Sequence, residues 1–141
     1  MIQENISLLP FNTFGIDVNA KRFAPFTSIS ELSLILSDRK GEDLLVLGGG
    51  SNLLLTKDFD GLVIKNEIAG FTVVHETEND VEVKVGAGVV WHDFVLKSIE
   101  RNYGGIENLS LIPGSVGASP MQNIGAYGVE IKDIFKSLEA Y

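Results

Sequence analysis

The sequence predicts an α+β fold, with mixed sheets joined by a few helices. Strand-like runs outnumber helical ones, only two stretches carry apolar residues at helical spacing, and the two types follow no strict strand–helix–strand rhythm. The 141 residues are 45% hydrophobic and 21% charged, ordinary globular usage in a chain long enough to bury a real core without staples. Eleven of the 15 glycines are clustered. They sit at Gly48–Gly50, at Gly86 and Gly88, and between Gly104 and Gly128, places that read either as binding loops or as tight turns between short strands.

Residues 1–15 read as an irregular entry segment carrying Asn12-Thr13-Phe14-Gly15. Phe23 to Phe26 is extended, because Pro25 disfavours helix at Ala24. Ser28-Ile29-Ser30-Glu31 has capping-box spacing, and Leu32, Ile35 and Leu36 continue a helix to about Arg39, which Gly41 ends. Leu44–Leu47 is a continuous apolar run and reads as a buried strand. Leu53–Leu55 is ambiguous, Asp60-Gly61 reads as a turn, and Leu62–Ile64 as a second buried strand. Phe71–Glu76 and Val81–Val85 flank Thr77-Glu78-Asn79-Asp80, the pattern of a hairpin. Trp91, Phe94, Val95 and Ile99 then recur at helical spacing up to Arg101. From Asn102 to Ile131 the only charges are Glu107 and Glu130; a long uncharged irregular segment in a compact domain is usually functional. Phe135–Tyr141 reads as a strand in which the chain stops, a cut sheet edge from which association between chains would be expected.

Composition narrows the function classes. The chain has no cysteine, which excludes disulfides, thiolate metal sites, iron–sulfur clusters and cysteine nucleophiles. Its formal charge of −8, without a basic run, argues against nucleic acid and anionic membranes as partners. No apolar stretch is long enough to span a bilayer, and the N-terminus lacks the pattern of a signal peptide, so the expected compartment is the cytoplasm.

Two loops carry what chemistry there is. Gly48-Gly49-Gly50-Ser51-Asn52 follows a strand but has neither the Rossmann nor the P-loop order. Its backbone N–H groups read as an anion nest, and equally as a strand-to-helix turn. Ile112-Pro113-Gly114-Ser115-Val116-Gly117-Ala118-Ser119-Pro120 and its continuation Met121–Gly128 form an apolar loop studded with hydroxyl and amide groups, suited to a planar heterocycle rather than a metal. Together they indicate a bipartite site for a diphosphate-bearing cofactor, held by dipoles because neither loop has a lysine. His75 and His92 read as structural, Trp91 as core, and Glu76, Glu78, Asp80 and Glu82 as a solvated edge. No catalytic group and no metal site can be assigned.

Asn12-Thr13-Phe14-Gly15-Ile16, Leu47–Leu54, Val85-Gly86-Ala87-Gly88 with Trp91-His92, and Glu107–Glu130 together resemble the UDP-N-acetylenolpyruvoylglucosamine reductase family from about Asn12 onward, the Pro113–Glu130 stretch being the most specific part. The resemblance implies the FAD-binding fold shared with vanillyl-alcohol-oxidase-type flavoproteins, and a cytoplasmic oxidoreductase of peptidoglycan precursor synthesis. Such an enzyme binds FAD noncovalently, takes electrons from NADPH and reduces the enolpyruvyl group of a UDP-sugar. Carried over by motif, Gly48, Gly49, Gly50, Ser51, Asn52, Leu53 and Leu54 would line the FAD pyrophosphate. Pro113, Gly114, Ser115, Val116, Gly117 and Ser119 would surround the flavin with Asn123, Ile124, Gly125, Ala126, Tyr127 and Gly128, Tyr127 facing the substrate side. The family's proton-donating serine, catalytic glutamate and arginine fall beyond Tyr141. The expectation is therefore an FAD-binding domain over 1–141, divisible into subdomains near 1–66 and 67–141, without the substrate domain and without turnover of its own. Another FAD-dependent oxidase of the superfamily, or a noncatalytic FAD or nucleotide module, are the rival readings.

Overall fold

Leu62, Val63 and Ile64 are consecutive and all buried, as residues are in a strand covered on both faces. They lie in the first of two units, Met1–Ile68 and Ala69–Tyr141, into which the computed structural model, describing residues 1–141, divides. The first unit is a four-stranded sheet ordered β1-β2-β4-β3, formed by β1 (Gln3–Ser7), β2 (Asn19–Phe26), β3 (Asp43–Leu47) and β4 (Phe59–Asn66). β2 and β3 both run parallel to β4, and β1 is antiparallel to β2. Val63 packs on one face with Leu8, Phe23, Leu47 and Leu55. Leu62 and Ile64 pack on the other with Ala24, Phe26, Leu32 and Ile35. Ala20 and Phe23 share a face despite their odd spacing, since the register shifts between Ala20 and Arg22.

Helix α1 (Ile29–Ser37) covers the second face through Leu32 and Ile35. Its start follows the expected cap: Ser28 Oγ accepts from the Glu31 N–H at 3.2 Å. The Glu31 carboxylate reaches chiefly to Thr27, accepting from its N–H at 2.7 Å and its hydroxyl at 2.9 Å. Those bonds hold the carboxyl below its usual range. The helix stops at Ser37, two residues short of the expected end. Beyond it Arg22 ties the connection down, donating to Asp38 and Glu42.

Three expectations for this unit are corrected. Residues 1–15 are not wholly irregular: Gln3–Ser7 is an edge strand, and its polar, mostly exposed residues carried no apolar alternation. Leu44–Leu47 forms a strand, but an edge strand with Val46 62% exposed. Asp60-Gly61 is not a turn but part of β4, where Gly61 pairs with Asp43. A Cβ at Gly61 would lie 2.4 Å from the Asp43 carbonyl oxygen, so this glycine serves strand approach and not chain reversal.

The second unit begins with the expected hairpin, β5 (Phe71–Glu76) and β6 (Val81–Val85), paired antiparallel. Thr77 closes its turn, the N–H donating to Asp80 O at 2.8 Å and the hydroxyl oxygen accepting from the Asp80 N–H at 3.0 Å. Helix α2 (Trp91–Glu100) turns Trp91, Phe94, Val95 and Ser98 inward. Trp91 meets Phe94 edge-on at 5.4 Å, and both pack with Ile106, Leu109, Ile124 and Ile131. Ser98, its hydroxyl donating to Phe94 O, takes the inward position on the last turn, and Ile99 is left exposed.

The segment after α2 is built from 3-10 turns at Glu107–Leu109, Val116–Gln122 and Ile131–Asp133 and a minimal hairpin, β7 (Gly125–Ala126) with β8 (Val129–Glu130). Phe135–Tyr141 is not the expected strand. It pairs with no strand of the chain and is exposed, held by ion pairs Lys136–Glu82 and Lys84–Glu139. The self-association expected from a cut sheet edge at Tyr141 loses that ground.

Two outcomes follow from the first unit. Gly61→Ala forces β3 off β4 and is expected to lower stability by about 1–3 kcal/mol, read as a fall in the urea midpoint by far-UV circular dichroism. The depressed Glu31 carboxyl contributes stability at neutral pH, and this fades as pH falls through and below its ordinary value of 4.5. The stability gap between the natural chain and Glu31→Gln should therefore be widest near pH 7 and close on acidification; a gap constant from pH 7 to pH 3 would contradict it.

Candidate functional site

The first candidate loop owes its shape to Asn12. This side chain is 8% exposed, and such a buried amide must satisfy its own donors and acceptor. Asn12 Nδ2 donates to Leu8 O at 2.8 Å and Ile16 O at 2.9 Å, while Oδ1 accepts from the Ile16 N–H at 2.9 Å. The turn so closed presents Phe11–Thr13 to the glycine loop. Thr13 donates its N–H to Gly50 O at 3.2 Å and its hydroxyl to Ser51 O at 3.4 Å. Gly50 is buried with φ +65°, and a Cβ there would fall 1.9 Å from Phe11 O. No other residue fits that backbone at that distance.

Peptide planarity then fixes what the loop offers. Every peptide is trans, so each carbonyl opposes the N–H of the following residue. With the Gly50 and Ser51 carbonyls bonded to Thr13, the N–H groups of Ser51 and Asn52 point away from the supporting turn. Two successive N–H groups aimed alike are the elements of an anion nest. The strand-to-helix alternative is not realised: no helix follows Asn52 before β4 begins at Phe59. Gly49, Asn52 and Leu54 are exposed, Leu54 by 65%, and Gly48, Ser51 and Leu53 are half-buried.

In the second unit, Pro113–Gly117 runs as a strand-like rail beside Ala87–Trp91. Trp91 N–H donates to Gly114 O at 3.0 Å, Val116 N–H to Val89 O at 2.9 Å and Gly117 N–H to Ala87 O at 2.9 Å. Gly117 carries the close approach: a Cβ would lie 2.7 Å from that of Ala87. The same trans geometry turns the Ser115 N–H away from α2. Ser119, buried, donates its hydroxyl to Val116 O at 2.7 Å, and Ile124 is a core residue; what these two can offer a ligand is backbone.

Asn123 adopts φ +44°, and its side chain bonds Glu130. Lys132 and, after it, Asn123 hold the Glu130 carboxyl below the usual range. Gly125 and Ala126 lead into a two-residue turn in which Tyr127 has φ +52° and Gly128 +81°, the sign pattern of a type I′ hairpin. Tyr127 stands at its tip, 89% exposed.

His75 is exposed on β5, and Glu76, Glu78 and Asp80 are exposed around the hairpin turn. No cluster of three metal-ligating side chains occurs, and no helix is long and apolar enough to cross a membrane. Sequence reading missed Asn12 as a structural anchor. The signal available was an Asn four residues from both Leu8 and Ile16 in a segment without other order. Asn12→Ala removes all three bonds, and a loss of about 2–3 kcal/mol is expected; Asn12→Asp keeps the acceptor and should fall between. Urea titrations followed by far-UV circular dichroism check the ranking.

Residues 21–141 match the model of the FAD binding domain family. Over 139 residues the chain is 54% identical to the UDP-N-acetylenolpyruvoylglucosamine reductase of Flavobacterium johnsoniae, covering 99% of this chain and 41% of that protein. It is 52% identical over 141 residues to the reductase of the same name from Pseudomonas aeruginosa, covering 99% and 42%. The chain thus spans about two fifths of the length of the curated relatives it matches. Among solved structures, the UDP-N-acetylenolpyruvylglucosamine reductase (MurB) of Thermus caldophilus shares the fold, with a TM-score of 0.70 at 23% identity over 94% of this chain and 47% of that one.

Proposed function

The chain belongs to the FAD binding domain family, and from that premise we propose that it is the FAD-holding part of a UDP-N-acetylenolpyruvoylglucosamine reductase. The observation that carries the reading is the 54% identity to the Flavobacterium johnsoniae reductase across 99% of the chain. The two units together would form one FAD-binding domain. When bound, FAD supplies hydride chemistry between NADPH and the enolpyruvyl double bond of the UDP-sugar, a reduction that in this reading belongs to peptidoglycan precursor synthesis in the cytoplasm.

The residues present fit that group. An acidic chain without lysine in either loop must hold a pyrophosphate by dipoles, and the N–H groups of Ser51 and Asn52 have the required common orientation. Gly48 and Gly49 carry no side chain to obstruct the approach, and Leu53 and Leu54 give the loop an apolar border. Pro113–Ser119 offer a rigid rail with the Ser115 N–H turned outward from α2, and Asn123–Gly128 offer the hairpin. On these grounds Pro113, Gly114, Ser115, Val116, Gly117, Ser119 and Asn123–Gly128 are assigned to the isoalloxazine, with Tyr127 on the substrate side. Proton delivery and the grip on the UDP-sugar are assigned to the length of the relatives that this chain does not span.

Titration of the chain with FAD tests the reading, and quenching of flavin fluorescence with saturation is expected. Riboflavin, which lacks the pyrophosphate, should bind at least about tenfold more weakly, the worth of one charge-assisted bond or more. Addition of NADPH and the enolpyruvyl UDP-sugar should leave NADPH unoxidised. No response to FAD, or equal binding of riboflavin, would overturn the cofactor assignment; turnover by this chain alone would overturn the division of labour.

A further inference from the structure

Leu111 is the one exposed leucine of the chain held with a left-handed backbone: its φ is +63° and its side chain is 77% exposed. A leucine in that region is strained and persists only where its surroundings over-determine it. Burial of its own side chain does not do so. The constraint comes from the first turn of α2.

Trp91 and His92, adjacent in sequence, grip the loop 109–114 at three points. Trp91 Nε1 donates to Leu109 O at 2.8 Å, and its backbone N–H donates to Gly114 O at 3.0 Å. Between these, His92 Nδ1 accepts the Leu111 N–H at 3.2 Å, with Ser110 Oγ 3.3 Å from the same nitrogen. Trp91 would exist as a core residue whatever the loop did, since it packs in the core with Phe94, Val95 and Ile106. His92 is only half-buried and belongs to neither side of that core. What it does is accept one N–H, and that N–H belongs to the strained residue. Accepting at Nδ1 requires the imidazole to carry its proton on Nε2.

We propose that His92 is a positioning residue for FAD: its Nδ1 holds Leu111 in the left-handed conformation and so delivers Pro113–Ser115 to the rail beside α2. This rests on the assignment of Pro113–Ser115 to the flavin. Leu111 reverses the chain two residues before Pro113. If it relaxed to a negative φ, the path into Gly114 would change and the bond from the Trp91 N–H would have to break or stretch.

The position of an acceptor atom separates this role from general packing. Asn places Oδ1 where His has Nδ1, whereas Gln extends to the position of Nε2, and Leu fills the volume without an acceptor. Amide hydrogen exchange of the chain without ligand reads the clamp directly. The Leu111 amide should be protected in the natural chain and in His92→Asn, and lose that protection at least about tenfold in His92→Gln and His92→Leu. FAD binding should follow the same order, about tenfold weaker in the Gln and Leu variants and near natural in His92→Asn. The double variant His92→Leu/Leu111→Gly should recover FAD binding, because glycine takes φ +63° without a clamp.

Unchanged exchange at Leu111 in His92→Gln would overturn the clamp. Lost protection with unchanged FAD affinity would overturn the positioning role while leaving the bond itself. Equal weakening of FAD binding in all three single variants, with no rescue by the double, would make His92 a packing residue and overturn the proposal. Should the natural chain fail to bind FAD, the cofactor reading fails with the positioning role, and the exchange data still decide whether His92 holds Leu111.

Discussion

Asn12 closes the segment between Leu8 and Ile16 with one amide group, and the first loop takes its form from that closure. Its three hydrogen bonds bend the chain so that Phe11 O and Thr13 N–H face Gly50. From there the constraints run in sequence. Phe11 O leaves no room for a Cβ at Gly50, and Thr13 turns two carbonyls inward. The planar trans peptide then leaves two N–H groups aimed the other way. The polar face of the loop is thus decided by a residue that sits behind it.

The second unit reaches a similar result by different means. There the support is the segment Ala87–Trp91, and the glycine whose missing Cβ matters is Gly117, against Ala87. In the first loop the Gly50 and Ser51 carbonyls are engaged by Thr13, and in the second the Gly114 carbonyl is engaged by Trp91, which turns the Ser115 N–H away from α2. For a chain of formal charge −8, the anion site proposed for the first loop would rely on such fixed dipoles. A lysine could neutralise an anion from many positions on its flexible stem, whereas fixed peptide dipoles accept it only in the place where they converge.

Elements governed by local chemistry were legible in the sequence: the Ser28 cap, the hairpin about Thr77 and the inward stripe Trp91, Phe94 and Val95 all depend on neighbours within a few residues. The double-sided burial of Leu62–Ile64 was legible as well, from its unbroken apolar run. What escaped depends on distant partners. Gln3–Ser7 is a strand because β2 lies beside it, and Gly61 is a strand residue because Asp43 passes 2.4 Å from its absent Cβ. Phe135–Tyr141 has strand-like composition but no neighbour to pair with. The site divides in the same way. Its glycines announced both loops, but the groups that shape them were silent, since Thr13 finds its partners near Gly50 and His92 finds Leu111 only in the folded chain.

The placement of the aromatic residues gives the molecule an optical asymmetry. Its one tryptophan and all three tyrosines (Tyr103, Tyr127 and Tyr141) lie after Ile68, and the first unit has phenylalanine alone. Trp91 is buried and its indole N–H is bonded to Leu109 O, so its emission is that of an apolar site and shifts to the red when the second unit opens. Near-ultraviolet absorbance and tryptophan emission therefore describe one half of the chain, while the backbone signal describes both. A difference between the two transitions in a single denaturation would measure how strongly the halves depend on each other for their order.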